Sequence, residues 1–140
     1  IMQKFEDIKI TTSRGRGFYD ITSDIKSIVG NSAIENGLFT AYIKHTSASL
    51  LINENYDPDV LVDMETFFSK LVPDGSLDFI HTMEGADDMP AHIRTALTQT
   101  HLSIPIQNNV LKIGQWQGIF LYEHRLSAHN RSIATHIIGD

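Results

Sequence analysis

The second half of the chain is a series of short β-type segments separated by turn residues, and this pattern constrains the fold more than any other feature. The segments read HLSIPI, VLKI, WQGIFLYEHR and RSIATHII, with Asn108-Asn109, Gly114 and the stretch 127–130 between them. Runs rich in β-branched and aromatic residues are typical of strands, and Gly and Asn are typical of turns. Because such short connections favour neighbouring strands, the pattern predicts an antiparallel meander for the last four strands.

The first half of the chain adds further strands and one short helix. In chain order the pattern predicts a strand at 3–12, a turn at 13–17, a strand at 18–21, a helix at 22–29 and strands at 37–45 and 47–53. Thr22 is a suitable N-cap for the helix, and Gly30-Asn31 is a stop signal. In GLFTAYIKH, side chains alternate between two faces. His45 therefore ends the more apolar face, together with Phe39, Ala41 and Ile43.

Two more helices are predicted in the middle of the chain. Asp57-Pro58 combines an acidic cap with a proline at the first helical position, and Pro73 ends that helix. Its expected apolar side carries Leu61, Met64, Phe67, Phe68 and Leu71. Residues 76–87 are expected to be irregular. A short helix then begins near Asp88, which is interpreted as its cap, with Ile93 and Leu97 facing the core. The sequence thus predicts one compact α+β domain over residues 1–140, mostly antiparallel sheet layers with two to three helices.

Composition narrows the classes of function. The formal net charge of −6 argues against nucleic-acid binding, which requires clustered Lys and Arg. No apolar run approaches the roughly 18–20 residues of a membrane span, and no signal-peptide pattern is present, so the expected partners exclude membranes and the expected compartment is the cytoplasm. The chain has no cysteine, which excludes disulfides, thiolate ligands and a cysteine nucleophile.

Histidines and carboxylates are concentrated in HTMEGADDMPAH, residues 81–92, and a further histidine ends a strand at His45. Neutral imidazoles are good ligands for Zn²⁺, and three protein ligands with one open position are the usual catalytic arrangement. His45, His81 and His92 are therefore a candidate zinc site, or alternatively a set of acid–base groups. Glu84 is the candidate general base or supporting partner. Carboxylates in this loop could instead hold Mg²⁺ beside a diphosphate.

Three motifs, HTSASLLINEN, EGADDMPAHI and G-x-WQGIFLYEHR, resemble the YjbQ-type family in order and spacing. The resemblance covers essentially the whole chain. It implies a compact fold, a homotrimer and a secondary thiamine-phosphate synthase activity on small phosphorylated substrates. One position departs from the family pattern, because Gln115 stands where a threonine is usual, and this substitution is expected to affect turnover rather than stability.

The resemblance also suggests roles for polar residues. It implies the catalytic candidates Glu84, Glu123, Gln117, Asn53 and Ser47, and the substrate-binding candidates Thr46, Glu54, Trp116 and Arg131. A guanidinium binds phosphate bidentately, so Arg131 is interpreted as a phosphate clamp or, equally, as an ordinary ion-pair partner. Two hypotheses follow. The chain is either a metal-dependent enzyme that condenses a hydroxymethylpyrimidine diphosphate with a thiazole phosphate, or a non-catalytic trimer with a structural histidine site.

Overall fold

Two antiparallel sheets and three helices make up the protein, which is described here over all residues 1–140 by a computed structural model. The larger sheet has the strand order β1-β8-β3-β5-β6 and the smaller one the order β2-β7-β4. The strands are β1 Met2–Thr11, β2 Gly17–Asp20, β3 Gly37–Ile43, β4 Ala48–Glu54, β5 His101–Gln107, β6 Val110–Leu111, β7 Gln117–Glu123 and β8 Asn130–Gly139. The helices are α1 Thr22–Gly30, α2 Pro58–Leu71 and α3 Asp88–Leu97. The predicted α+β class is confirmed.

One apolar core joins both sheets and α1. Strand residues alternate between this core and the opposite face, as in β5, where Leu102, Ile104 and Ile106 are buried and their neighbours are exposed. The core also includes Phe39, Ala41, Ile43, Leu50, Ile119, Leu121, Ile133 and Ile137. Each large apolar side chain buried in this way contributes about 1.5–3 kcal/mol relative to exposure. The alternation therefore fixes which face of each strand is internal, and so fixes the register.

The predicted meander is wrong. Only β5 and β6 are sequential partners among the last four strands, whereas β7 lies in the smaller sheet between β2 and β4, and β8 lies in the larger sheet between β1 and β3. β1 and β8 are the first and last strands and pair along their full length, from Met2 opposite Gly139 to Thr11 opposite Asn130. The chain thus closes on itself through a long-range pairing that short connections do not predict.

The helices differ from the prediction in several details, and Leu97 of α3, which was expected to face the core, is 57% exposed. Asp57 caps α2 as expected, because its carboxylate accepts a hydrogen bond from the Asp59 N–H at 2.9 Å. However, no residue of α2 is buried, and Phe67 and Leu71 on its predicted apolar side are mostly exposed. Thr22 is the first residue of α1 rather than its cap, and its hydroxyl accepts the Ile119 N–H. None of the three helices is both long enough and apolar enough to cross a membrane.

Candidate metal centre

The candidate site lies where β4 begins and β7 ends. These two strands are antiparallel neighbours, with Ala48 opposite Glu123, so the residues before β4 and after β7 meet at one end of the smaller sheet. The helix α3 packs beside β4. Three separate segments, Thr46-Ser47, residues 81–92 and Arg125, are thereby brought together.

Asp88 is the centre of this site and not the cap of the helix, which corrects its predicted role. It is the first residue of α3, its side chain is almost completely buried, and no side chain caps the helix at Asp87. Asp88 Oδ2 lies 2.6 Å from His81 Nε2 and 3.1 Å from His92 Nε2. The candidate ligand atoms of these three residues all lie within 4.8 Å of one another. Two imidazole nitrogens therefore lie within hydrogen-bond distance of one carboxylate oxygen.

The spacing of Asp88 and His92 explains part of this convergence. Residues four apart on a helix lie on the same face, one turn above the other. His81 approaches from the irregular segment before the helix, which turns at Gly85 with a φ of +110°. Glycine tolerates this conformation, whereas side chains with a Cβ rarely adopt it. The Asp-x-x-x-His spacing was the sequence signal for Asp88 as a ligand, and it was hidden by the equally good interpretation of Asp88 as a cap.

Hydrogen bonds behind the cluster orient its members. The Thr46 carbonyl lies 2.8 Å from His92 Nδ1 and can only accept, so His92 Nδ1 carries a proton. In the neutral imidazole, His92 Nε2 then has a lone pair directed at Asp88 Oδ2. Two acceptors that face each other at 3.1 Å need a cation or an additional proton between them. This pattern, a backbone carbonyl holding one ring nitrogen and freeing the other, is common for metal-binding histidines.

Arg125 holds the carboxylates of this region in place and was not among the predicted site residues. Its Nη1 lies 2.8 Å from Asp88 Oδ1, its Nε donates to Asp87 at 2.9 Å and its Nη2 donates to the Glu84 carbonyl at 2.8 Å. Asp88 therefore presents Oδ2 to the histidines while Oδ1 is fixed. Burial disfavours the charged form of Asp88, but the hydrogen bond from His81 and the charge of Arg125 outweigh it and lower the pKa of Asp88. Glu84 is exposed, and only its main chain contacts Arg125.

His45 does not join the cluster as a third imidazole, and Asp88 takes that place. His45 Nε2 accepts a hydrogen bond from the Ser132 N–H at 2.9 Å. Burial and the charge of Arg131 lower the pKa of His45, so the ring is neutral at pH 7 and its proton is on Nδ1. His45 nevertheless shares a cavity of about 340 Å³ with His92. The cavity is lined by Tyr42, Ile43, His45, Thr46, His92, Thr95, Ala96 and Thr100.

Glu123, Arg131 and Ser47 lie behind the cluster and are all buried. Arg131 Nε donates to Glu123 Oε1 at 2.7 Å and Arg131 Nη2 donates to Glu123 Oε2 and to the Ser47 hydroxyl. Burial disfavours the charged form of Glu123, but the hydrogen bonds from Arg131 and Thr12 outweigh it and lower the pKa of Glu123. With its guanidinium buried and bound to Glu123, Arg131 has the ion-pair geometry and not that of a free phosphate clamp.

Four other predicted site residues lie at the opposite end of the smaller sheet: Asn53, Glu54, Trp116 and Gln117. Glu54 pairs with Gln117 at one end of the β4–β7 ladder, and Ala48 pairs with Glu123 at the other. Six residue steps along the strand separate these ends, or about 20 Å. Trp116 is half exposed against Tyr56, and Gln115 is exposed in the turn before β7. Within one protomer these residues and the His–Asp cluster do not share a site.

The fold and this cluster define a class of protein. It is a small α+β domain of two antiparallel sheets, with a cluster of two histidines and one carboxylate at one end of the smaller sheet. A family model described as "UPF0047 protein YjbQ-like" matches residues 6–140, and the chain belongs to this family.

Relatives and solved structures agree with this assignment. A UPF0047 protein of Synechocystis is 45% identical over 138 residues, which covers 99% of this chain and 94% of that protein. The UPF0047 protein YjbQ of Salmonella typhimurium is 42% identical, covering 92% and 94%. A crystal structure of a YbjQ-like protein of unknown function from Sulfolobus solfataricus superposes with a TM-score of 0.91 at 26% identity, covering 99% of each chain. A YjbQ/UPF0047 family structure from Clostridium acetobutylicum gives 0.86 at 33% identity, covering 95% and 99%.

Proposed function

We propose that this protein is a metal-dependent enzyme in which His81, Asp88 and His92 bind one divalent cation. The observation that carries the proposal is the orientation of His92. Its Nδ1 proton is committed to the Thr46 carbonyl, so its Nε2 lone pair faces the carboxylate of Asp88. A bound cation removes the conflict between these two acceptors, as an additional proton on Nε2 would, and the metal-content test below separates the two cases.

The donor set favours Zn²⁺ over Mg²⁺. Mg²⁺ binds oxygen ligands almost entirely, whereas imidazole suits Zn²⁺ and its neighbours in the transition series. Three protein ligands leave at least one position for water or substrate, which is typical of catalytic rather than structural zinc sites. The side chains of His81 and His92 are 45% and 32% exposed, so a small molecule can reach this position.

Such an ion would activate water or neutralise a leaving group. For the condensation that the family resemblance implies, the thiazole nitrogen attacks the methylene carbon of the pyrimidine, the bond to the diphosphate oxygen breaks and pyrophosphate departs. Arg125 and Arg131 are both committed to carboxylates, so the metal ion is the main positive charge available to the diphosphate. This supports the condensation as a secondary activity, with metal-assisted hydrolysis as the alternative reaction at the same site.

Two of the predicted acid–base groups have positions that suit this chemistry. Glu84 is exposed in the loop between His81 and Asp88, and it is proposed as the general base for a metal-bound water. The neutral ring of His45 borders the same cavity as His92 and can donate a hydrogen bond from Nδ1 to a bound substrate. Six of the eight residues that line this cavity carry a hydroxyl or an imidazole group, which can form hydrogen bonds to a ligand.

The test is metal content followed by reconstitution. Purified protein would be assayed for bound metals, stripped with a chelator, and titrated with Zn²⁺, with both the condensation and the hydrolysis of phosphorylated substrates measured. We expect one ion per chain, and His92→Ala should lose both the ion and the activity. His101→Ala is the matched control, since His101 is an exposed histidine on β5, outside the cluster. Equal stoichiometry in the two variants would contradict the proposal.

The second candidate, a structural site in a non-catalytic trimer, predicts a closed coordination shell. Substitution with Co²⁺ distinguishes the two, because added azide or thiocyanate changes the visible spectrum only when an exchangeable position is present. We further propose a homotrimer in the cytoplasm. In support of assembly, Leu77, Ile80 and Met83 are almost fully exposed in the segment that also carries His81, and large exposed apolar groups commonly mark an interface.

A further inference from the structure

A buried ion pair between Glu123 and Arg131 is connected by hydrogen bonds to the two segments that hold Asp88 and His92. The Glu123 side chain is 0% exposed and that of Arg131 is 5% exposed. Glu123 Oε1 also accepts the Thr12 hydroxyl at 2.7 Å, so both oxygens of the carboxylate are occupied. Burying two charges is costly, and a buried pair often contributes little net stability compared with an apolar pair of the same shape. Its presence here therefore calls for a role besides stability.

One side of the pair supports Asp88. Glu123 Oε2 accepts the Arg125 N–H at 3.1 Å, which fixes the main chain at the point where β7 ends. The side chain of that same Arg125 contacts Asp88 Oδ1 at 2.8 Å. A shift of the Glu123 carboxylate would therefore move the guanidinium that keeps Asp88 Oδ2 directed at the histidines.

The other side of the pair supports His92. Arg131 Nη2 donates to the Ser47 hydroxyl at 2.8 Å and to the Ser47 carbonyl at 3.2 Å. The adjacent residue is Thr46, whose carbonyl holds His92 Nδ1. The same guanidinium thus fixes the main chain that selects the His92 tautomer.

We infer that Glu123 and Arg131 are positioning residues, which set the geometry of two metal ligands from behind through Arg125 and through Thr46-Ser47. The inference rests on the proposed metal site. It differs from the roles that the sequence suggested, a catalytic Glu123 and a phosphate-binding Arg131, because both side chains are buried and bound to each other. Neither residue touches the substrate. Their effect on chemistry is transmitted through the orientation of Asp88 and His92.

The test compares Glu123→Gln with a matched control, Glu65→Gln. Glu65 is also the carboxylate partner of a buried arginine, Arg94, at 2.8 Å, but none of its hydrogen bonds is to a metal ligand. Both variants remove one charge without changing side-chain size. We expect Co²⁺ affinity to fall about 10- to 100-fold in Glu123→Gln, the range usual for residues that support metal ligands, with an altered visible spectrum. In Glu65→Gln the Co²⁺ affinity should stay close to the wild-type value, because the residues that support the ligands are unchanged.

Equal losses in the two variants would overturn the inference, since a general loss of stability would then explain both. Should Glu123→Gln fail to fold, Ser47→Ala removes one hydrogen bond and no charge. A hydrogen bond contributes about 1 kcal/mol, or somewhat less than tenfold in affinity. Unchanged Co²⁺ affinity in Ser47→Ala would overturn the inference, whereas a severalfold loss would support it.

A second readout needs no metal. In the metal-free protein, ¹⁵N chemical shifts of the His92 ring report which nitrogen carries the proton. Wild type should show protonated Nδ1, and Glu123→Gln should show a mixture of tautomers, because the Thr46 carbonyl is no longer held in place. If wild type bound no Co²⁺, the proposed metal function would fail while this measurement still decided the positioning role. An unchanged His92 signal in Glu123→Gln would overturn it.

Discussion

Asp88 and His92 lie one helical turn apart on α3, and Asp88 Oδ2 is 3.1 Å from His92 Nε2. The other nitrogen of that ring, His92 Nδ1, is already hydrogen-bonded to the backbone carbonyl of Thr46. The same Asp88 oxygen is also 2.6 Å from His81. A nearly buried carboxylate at the start of a helix is thereby surrounded by imidazoles, with Arg125 fixing its second oxygen. This relationship is the basis of the proposed metal site.

Replacing Asp88 with Asn should abolish metal binding. An amide oxygen carries no formal charge, so the three-ligand set loses its only anion. In wild type, a metal that binds only the folded state at 100 times its Kd adds about 2.7 kcal/mol to the free energy of unfolding. Chemical denaturation with and without Zn²⁺ measures this increment. We expect the Zn²⁺-dependent increase in stability to disappear in Asp88→Asn and to persist in Asp78→Asn, since Asp78 is an exposed aspartate in the preceding loop. A Zn²⁺-dependent increase in Asp88→Asn would contradict the proposal that Asp88 is a metal ligand.

Stability should decrease as the pH falls below about 6.5 because of His124. Its ring is fully buried, one nitrogen lies 2.8 Å from the Ser49 hydroxyl, and the other has no partner. Burial and the nearby charges of Arg94, Arg16 and Arg131 lower the pKa of His124 to about 3. Between these pH values the unfolded chain binds a proton that the folded chain excludes, so lower pH favours unfolding, with a slope of about 1.4 kcal/mol per pH unit from this group.

The upper part of this pH window separates the histidines from the carboxylates. Above about pH 5.5 the carboxylates are largely ionised in both states, and their lowered pKa values matter only at lower pH. His45, whose pKa is also lowered, adds a slope of the same sign that is present in wild type and in the variants alike. His124→Phe keeps an aromatic ring against Tyr122 and removes the titration of His124. Urea denaturation from about pH 7 to 5.5 should therefore give a flatter profile in His124→Phe than in wild type. His101→Ala, which lacks an exposed histidine, should retain the wild-type slope, and identical slopes in all three proteins would show that His124 is not responsible.

The local elements of this fold were predictable from sequence, whereas strand order was not. The alternation in GLFTAYIKH correctly placed Phe39, Ala41 and Ile43 inside, because burial on one face imposes a period of two. Asp57-Pro58 correctly located the start of α2 through capping chemistry. The pairing of β1 with β8 depends on residues more than a hundred positions apart, and no local pattern encodes such a partner. The meander was therefore the natural but wrong expectation.

In the candidate site, too, local features were predictable from sequence and long-range contacts were not. His81 and His92 were predictable because they lie close to carboxylates in the sequence. Asp88 was assigned to capping, since the residues that cap helices also ligate metals, and only the three-dimensional structure separates the two roles. His45 was expected to end a strand, but β3 ends at Ile43, and the Ser132 N–H that occupies His45 Nε2 comes from β8. The polar residues of the three motifs that the resemblance implies as site residues lie at the two ends of the antiparallel β4–β7 ladder.

The segment that carries His81 should also mediate assembly. Leu77, Ile80 and Met83 are exposed by 98–101%, an unusual degree for large apolar side chains in one short loop. We expect sedimentation to show a trimer at micromolar concentration. Ile80→Asp should shift it toward the monomer, because a charge is costly in a desolvated interface. Asp78→Asn is a control in the same loop, and a monomeric wild-type protein would contradict the expectation directly.

The buried pair Arg94–Glu65 makes a last prediction, in which the two partners respond unequally to substitution. Arg94 is fully buried and its Nε and Nη2 have no hydrogen-bond partner, whereas the Glu65 side chain is 27% exposed and also accepts the Tyr122 hydroxyl at 2.6 Å. Removing Glu65 with Glu65→Leu leaves an uncompensated buried charge, which typically costs about 3–5 kcal/mol. Removing Arg94 with Arg94→Met leaves a carboxylate that water and Tyr122 still reach, and replaces two unpaired donors with apolar volume. We therefore expect Arg94→Met to change the free energy of unfolding by less than about 1.5 kcal/mol, the usual limit for a swap that conserves volume.

Urea denaturation of the two single variants and the double variant measures the asymmetry. Equal losses from both single variants would mean that the unpaired nitrogens of Arg94 are satisfied by bound water.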